Sequence, residues 1–334
     1  MFLLRLVSTL SGPQPPFPAH HLPTKVHDLW RTTLGSMQLF QQGLWFRTVA
    51  LVLWVSVVCV IAAQAQTPAV TLSPAVVDAG SPELIRVAAP ADATLQGEWQ
   101  GHKLAFFRGR DGQAWYALAG VDVEAHVGPS TLRISAHHTG GSTADLSQSI
   151  EIHEAHYSTG TLTVAPKFVA PDPTGLARIK AEMALKEKVF ATSAPQPLWA
   201  GDFRAPVHAA PTGSFGTRRT FNGRLESVHK GMDFRAPPGR VVRAGNGGVV
   251  VLARRLYYEG NCVVIDHGLG LFTLSMHLSR IDVHEGQRVT KGQRVGLSGA
   301  TGRVTGPHLH WAVRWDDAYL DPAKLLQMDL DSVR

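Results

Sequence analysis

Cysteine is almost absent from this sequence, which has only two, Cys59 and Cys262. Two cysteines so far apart cannot supply the clustered thiolates of a cysteine-ligated zinc site. Because Cys59 lies in a segment that we expect to be removed, the mature protein would keep one cysteine and form no internal disulfide. Any metal in this protein must therefore be held by histidine and aspartate.

Charged residues and helical apolar runs are also scarce. Charged side chains make up 17% of the chain, whereas glycine (32) and proline (21) are numerous. Many turn residues and few helical runs disfavour a mainly helical protein. The composition instead predicts a mainly β fold with short strands.

The apolar run near the N-terminus is too short for a typical membrane-spanning helix, but it has the pattern of an export signal. Val49–Ala63 is an uncharged run of fifteen residues, short of the ~20 that a spanning helix needs. Arg47 precedes the run and a small-x-small site ends it at Ala65, which is the pattern of a secretory signal. We therefore predict a signal peptide over residues 37–65, beginning at Met37, and a protein located in the periplasm or cell envelope.

Two alternatives accompany that prediction. Residues 1–36 are rich in proline and histidine and show no periodicity, so we expect a non-native or disordered extension. If the signal were retained instead of cleaved, it would anchor the protein to the membrane. Membrane contact is expected only in that case.

The rest of the chain divides into three segments by pattern. Residues 67–165 alternate β-type runs with turn clusters, which predicts a small β-sandwich. Residues 166–203 form a linker with one amphipathic helix at Leu176–Phe190, and residues 204–325 form a compact antiparallel β-sheet domain. The predicted strands are Leu84–Ala88, Lys103–Phe107, Ala114–Leu118, Thr131–Ala136, Ser149–His153, Val249–Leu252, Cys262–Asp266, Leu271–Met276 and Leu309–Trp315.

Positive charge is concentrated in the last segment. Residues 66–203 carry ten Lys/Arg against fourteen Asp/Glu, a net of −4, and residues 204–334 carry eighteen against eleven, a net of +7. A basic domain suits an anionic partner such as nucleic acid, anionic lipid or carboxylate-bearing cell wall. A solvated basic face without a partner is the alternative.

Histidines in that domain occur in patterns that suit metal chemistry. His229 and Asp233 are four residues apart, and His308 and His310 lie on the same face of a predicted strand because alternate residues of a strand point the same way. His277 ends another predicted strand. Zinc hydrolases take three protein ligands from His and Asp/Glu and leave a fourth position for water. His229, Asp233 and one of the His308/His310 pair would complete such a set beside a groove.

These segments resemble the LytM/lysostaphin-type zinc metallopeptidase family, which acts on bacterial cell wall. The resemblance runs from about Phe203 to Asp321 and is carried by four segments: Phe215–Arg219, His229–Asp233, Gly260–Gly268 and Gly302–His310. It implies an antiparallel β-sheet peptidase domain with a groove and one zinc ion, making residues 204–325 a zinc metallopeptidase domain.

The resemblance also implies roles for five residues. His229, Asp233 and His310 would be the zinc ligands, and His277 and His308 would be catalytic. One departure is Ser275, which stands where many members of the family have tyrosine. If that tyrosine assists the oxyanion, its loss could cost ~10²–10³ in rate, so we interpret this chain as a variant that keeps its metal and both catalytic histidines.

The expected function is a zinc metalloendopeptidase that hydrolyses peptidoglycan stem peptides or cross-links. The alternative is a catalytically weak cell-wall adaptor that activates another wall hydrolase, which the five intact positions disfavour. Nucleic acid is not an expected partner because of the export signal and the few basic–aromatic alternations. The bond cut could join D-Ala to a diamino acid, lie in a Gly bridge or belong to another peptide. Arg218, Arg219 and Arg303 are candidates to contact substrate carboxylates.

Overall fold

The computed structural model describes residues 69–334. The predictions for residues 1–36 and for the signal segment 37–65 lie outside this range. Within it, no helix is both long enough and apolar enough to cross a membrane.

The first part of the described chain forms two β-sheets. One has the strand order β1-β3-β7-β6 and the other β2-β9-β8-β4-β5. In β8 the side chains of Leu132, Ile134 and Ala136 are buried and their neighbours are more exposed, so one face of the strand packs on the core. The strands are β1 (Ala69–Ser73), β2 (Val77–Asp78), β3 (Pro82–Ala88), β4 (Thr94–Trp99), β5 (His102–Lys103), β6 (Phe107–Arg108), β7 (Trp115–Gly120), β8 (Gly128–His137) and β9 (Thr143–His153).

One predicted strand of this region is wrong. The run Lys103–Phe107 is not a single strand, because β5 belongs to the five-stranded sheet and β6 to the four-stranded one. Between them the chain passes from one sheet to the other, and Leu104 is buried on the way. Alternation of apolar residues does not reveal such a crossing, since it does not show which sheet a strand joins.

The connecting helix is present, as predicted. After β10 (Thr159–Leu162) and a short 3₁₀ turn at Pro166–Phe168, helix α1 spans Pro173–Phe190. It begins three residues earlier than predicted, because Asp172 caps it by accepting a hydrogen bond from the Gly175 N–H at 2.7 Å. Proline at the first helical position suits this geometry.

The last part of the chain is built on an antiparallel sheet. Its order is β11-β14-β22-β18-β17-β16-β20, and β23 pairs with β22. Smaller sheets, β10-β12-β13 and β15-β21-β19, flank it. The elements are β11 (Pro211–Gly213), β12 (Arg218–Phe221), β13 (Leu225–Val228), β14 (Met232–Phe234), β15 (Val241–Arg243), β16 (Gly248–Leu256), β17 (Gly260–Asp266), β18 (Leu271–Leu278), β19 (Arg280–Ile281), β20 (Arg288–Val289), β21 (Arg294–Leu297), β22 (Leu309–Trp315), β23 (Ala318–Leu320) and helix α2 (Pro322–Leu325).

The mainly β fold and the C-terminal antiparallel sheet are therefore confirmed. The two parts share a hydrophobic cluster that includes Ile85 and Leu118 of the sandwich and Trp311 and Leu320 of the sheet. The Tyr319 N–H also donates to the carboxylate of Asp122 at 2.7 Å, from the sheet to the sandwich. The sandwich thus packs directly against the sheet near β22 and β23.

Candidate metal centre

The sheet register brings the predicted metal ligands together. Asp233 on β14 is directly opposite His310 on β22, and His310 is in turn opposite Met276 on β18. His229 lies in the turn between β13 and β14. His229, Asp233 and His310 are all buried and form a group that could hold a metal ion, with their ligand atoms within 4.8 Å of one another.

Too few protons are available to satisfy this group by hydrogen bonding alone. The distances are 3.0 Å from His229 Nε2 to Asp233 Oδ1, 2.8 Å from His310 Nδ1 to Asp233 Oδ1, and 3.0 Å between the two nitrogens. His229 Nδ1 lies 2.7 Å from the carbonyl oxygen of Ser214, which only accepts, so the neutral ring carries its proton there. At most one proton, on His310 Nδ1, then serves three contacts. A cation would satisfy all three atoms, so the residues fit a bound metal.

The surroundings of Asp233 and His310 favour the protonation states that bind a cation. Burial alone would raise the pKa of Asp233, but the contacts with the imidazole rings of His229 and His310 outweigh it and hold the pKa well below its usual range. Burial is also the main cause that lowers the pKa of His310 to about 4. An ionised carboxylate and a neutral imidazole are the forms that bind metal.

Arg219 stabilises the ionised carboxylate from the other side. Its guanidinium Nη2 donates to Asp233 Oδ2 at 2.9 Å, leaving Oδ1 to the two histidines. This contact orients the carboxylate as an outer-shell partner orients a metal ligand. Residue spacing indicates Arg219 only as a candidate substrate contact, because the approach of β12 to β14 depends on the tertiary structure.

Gly231 explains how two ligands four residues apart can close on His310. A Cβ at this position would lie 2.4 Å from His310 Nε2 and 2.8 Å from the carbonyl oxygen of Trp311. Any side chain would push β14 away from β22. The glycine within the His229–Asp233 segment is therefore needed for the close approach of the strands.

His277 and His308 lie beside the ligand group, and each is held by a backbone carbonyl. Their ring centroids are 5.0 Å apart, and the His277 ring is 5.9 Å from that of His310. His277 Nδ1 lies 2.8 Å from the carbonyl oxygen of Thr301, and His308 Nδ1 lies 2.8 Å from that of Gly306. Each neutral ring thus donates through Nδ1 and keeps Nε2 free of a proton. His308 Nε2 is 3.6 Å from Asp233 Oδ1.

The backbone at His277 is in an uncommon conformation. Its φ is +62°, a region that non-glycine residues seldom occupy, and its N–H donates to the carbonyl of Glu259 at 2.9 Å. Burial, with the neighbouring His310 and His308 next, lowers the pKa of His277 to about 3. A strained backbone at a buried titratable side chain is typical of functional sites.

All five histidine and aspartate side chains open into one groove of about 540 Å³. Its wall also includes Leu162 of β10 and Val164 just after that strand, two residues that no sequence motif singles out. Ser275 is buried and does not line the groove, whereas Tyr258 and Tyr319 do. Trp311 and Trp315 are buried in the core, so they pack the sheet and do not form the groove.

Comparisons with known proteins agree with this geometry. Residues 227–322 match the model of Peptidase family M23. The chain is 55% identical over 83 residues to the peptidoglycan DD-endopeptidase ShyA of Vibrio cholerae, covering 25% of this chain and 19% of that protein. It is 41% identical over 98 residues to the DD-carboxypeptidase/endopeptidase Mpg of Neisseria meningitidis, covering 29% of this chain and 23% of that protein.

A solved structure resembles more of the chain. It is a candidate peptidase of family M23 from Pseudomonas aeruginosa, 27% identical, with a TM-score of 0.57, covering 74% of this chain and 94% of that one. The match thus includes residues outside the family segment. The chain spans only about a fifth of the length of the curated relatives it matches, 19% and 23%.

Proposed function

Because residues 227–322 match the model of Peptidase family M23, we propose that the protein is an exported zinc metalloendopeptidase that hydrolyses peptide bonds in peptidoglycan. The observation that carries the proposal is the convergence of His229, Asp233 and His310, with His277 and His308 beside them in one groove. The relatives whose names specify peptidoglycan endopeptidase activity support the substrate class.

One zinc ion would be held by His229 Nε2, Asp233 Oδ1 and His310 Nδ1. Two imidazole nitrogens and a carboxylate oxygen are a donor set that zinc accepts in hydrolases. When bound, zinc supplies Lewis acidity towards the scissile carbonyl and lowers the pKa of water towards ~7.

His277 and His308 would move the protons of the hydrolysis. Each has a proton-free Nε2 that can accept a proton from the attacking water, and each Nδ1 is held by a carbonyl so that the ring keeps its orientation. An imidazolium formed in this way could then protonate the leaving amine. The low pKa of His277 keeps that ring neutral at neutral pH, as a base must be.

Digestion of purified peptidoglycan tests the proposal. The full mature chain loaded with zinc should release peptide fragments that mass spectrometry identifies, and a chelator should stop the release until zinc is restored. The Asp233→Ala protein is the matched control. An adaptor without activity would bind the wall and release nothing, so absence of fragments from the zinc-loaded protein would refute the peptidase function.

Peptidoglycan is also proposed as the partner of the basic domain. The net charge of +7 over residues 204–334 would attract the carboxylates of stem peptides through many exposed contacts, each worth less than ~1 kcal/mol and screened beyond ~8 Å in physiological salt. Binding of the metal-free protein to purified wall should therefore weaken as salt rises. Salt-independent sedimentation with the wall would contradict this role.

The proposed export is supported by the predicted signal segment, residues 37–65, alone. We expect the mature protein to begin at or near Gln66 and to be located in the periplasm or cell envelope. N-terminal sequencing of the protein recovered from its host checks this expectation. Recovery of residues 1–36 on the mature chain would contradict it.

A further inference from the structure

Arg303 lies in the groove between two aromatic rings. Its guanidinium carbon is 4.5 Å from the ring centroid of Phe221 and 4.7 Å from that of Tyr258. Stacking of this kind stabilises the cation through its flat faces. The N–H groups at the edge of the guanidinium plane are not used by stacking and stay free to donate.

The other cations of the groove already have carboxylate partners. Arg219 pairs with Asp233 at 2.9 Å, and Lys230 pairs with Glu124 at 2.7 Å. Within residues 69–334, Arg303 forms no such pair. The carboxylate of Glu259 raises the pKa of Arg303 through its charge, but this carboxylate forms its ion pair with Lys186.

The position of Arg303 is fixed by its backbone. The Arg303 N–H donates to the carbonyl of Tyr258 at 2.8 Å, and Gly302 before it has a φ of +82° and packs so closely that a Cβ would lie 2.4 Å from that same carbonyl oxygen. The cation is thus held in place before any ligand arrives, which reduces the entropy lost on binding. Five residues later the same segment supplies His308 to the groove.

Partial burial makes the lack of a protein partner costly. Burial is the main cause that lowers the pKa of Arg303, yet a guanidinium stays charged in proteins. A partly desolvated charge without a counter-ion is unfavourable. A ligand anion would supply the missing partner.

We infer that Arg303 binds a carboxylate of the peptide substrate and thereby selects acidic peptides for the groove. The inference depends on the proposed peptidase function and adds a specificity residue to it. Carboxylate is favoured because the planar fork of a guanidinium matches its two oxygens. The carboxylate could belong to the diamino acid at a D-Ala cross-link or to the C-terminus of the stem peptide.

Binding of three synthetic peptides to the full chain tests this inference. The parent is a D-Ala-to-diamino-acid cross-linked peptide with both carboxylates free, and each of the others has one of these two carboxylates converted to carboxamide. Titration calorimetry is done in the zinc-loaded His308→Ala protein, so that peptide is not consumed. Arg303→Met and Arg303→Gln are made in that background, with Arg288→Met, an exposed arginine outside the groove, as the matched control.

We expect the parent to bind about tenfold to a hundredfold more tightly than one of the two carboxamides, the usual range for loss of a charge-assisted contact. The carboxamide that loses affinity identifies the carboxylate. Arg303→Met and Arg303→Gln should bind all three peptides with equal, weak affinity, and Arg288→Met should keep the preference. Circular dichroism checks that each variant is folded.

Three results would overturn the inference. They are a preference for the free carboxylate that persists without Arg303, equal binding of all three peptides by the chain with Arg303 intact, and no binding of any peptide. Failure of the proposed peptidase function would look different, because the zinc-loaded chain with all site residues intact would then release no fragments from the wall while the binding preference could still be measured.

Discussion

Two buried carboxyl groups, one in each half of the molecule, respond to burial in opposite ways. Glu83 on β3 of the sandwich and Asp233 on β14 of the sheet are both almost fully buried. Within the described chain, neither carboxyl oxygen of Glu83 has a hydrogen-bond partner, and burial raises its pKa to about 8. Asp233 receives contacts from His229, His310 and Arg219, and its pKa is held well below the usual range.

The difference shows that donors, not burial, decide whether a buried carboxyl is charged. Burial favours the neutral form of both groups, and hydrogen bonds or opposite charges must outweigh it for the anion to persist. The carboxyl group of Glu83 is therefore neutral over much of the ordinary pH range and contributes to packing. The carboxylate of Asp233 stays anionic although it is buried, and the anion is the form that binds a metal.

Removal of the anionic carboxyl should have the largest effect. We expect Asp233→Ala, His229→Ala and His310→Ala each to lose most of the bound zinc, because two remaining ligands hold zinc poorly. Metal content per chain after dialysis, measured by mass spectrometry, checks this. Glu83→Gln, a change of the other buried carboxyl, should keep its metal. Full zinc occupancy in Asp233→Ala would show that this aspartate is not a ligand.

The two histidines beside the ligand group should act on rate and not on metal content. We expect His277→Ala and His308→Ala to keep zinc and to lose about 10²–10⁴ in hydrolytic rate, the usual effect of general acid–base groups. The paired measurement is metal content together with release of fragments from peptidoglycan. Zinc loss in His308→Ala with retention in His310→Ala would mean that the roles of these two histidines are exchanged.

Removal of one donor to Asp233 should weaken the site without destroying it. We expect Arg219→Met to lower zinc affinity about tenfold to a hundredfold, because outer-shell partners have effects of this size. Competition with a chromophoric chelator measures the affinity. Arg218→Met is the matched control, since Arg218 is the exposed neighbour on the same strand. Equal affinities in the two variants would argue against the orienting role of Arg219.

The last expected effect is at Glu83, away from the metal site, and concerns stability. Its pKa is raised from 4.5 to about 8 on folding, so between these values the folded state binds more protons than the unfolded state. Stability is then full below about pH 4.5 and is lost as pH rises towards 8, by at most ~1.4 kcal/mol for each pH unit.

Thermal unfolding between pH 5 and 8 checks this expectation. Glu83→Gln has no ionisable group at the position, so its unfolding temperature should fall less over the same interval than that of the unchanged protein. Parallel pH profiles for the two proteins would show that Glu83 does not titrate in the folded state.

Residue spacing in the sequence was sufficient to find the site residues but not their contacts. The four-residue interval from His229 to Asp233 and the two-residue interval from His308 to His310 are local, and the structure brings all four together with His277. The roles assigned to these residues stay predictions. Local patterns also located helix α1 and eight of the nine predicted strands, whereas the crossing between sheets at Leu104 was missed because alternation does not show which sheet a strand joins.

By itself the sequence determined a mainly β protein, a basic C-terminal domain and five residues of types that suit metal and acid–base chemistry. These properties depend on composition and on intervals of a few residues, which a strand or turn converts directly into shared faces. Only the tertiary structure decided that Arg219 contacts Asp233, that β10 supplies Leu162 to the groove, and that Arg303 stacks on Phe221 and Tyr258. Each of these contacts joins segments whose approach is set by sheet order and packing, and no local pattern encodes that approach.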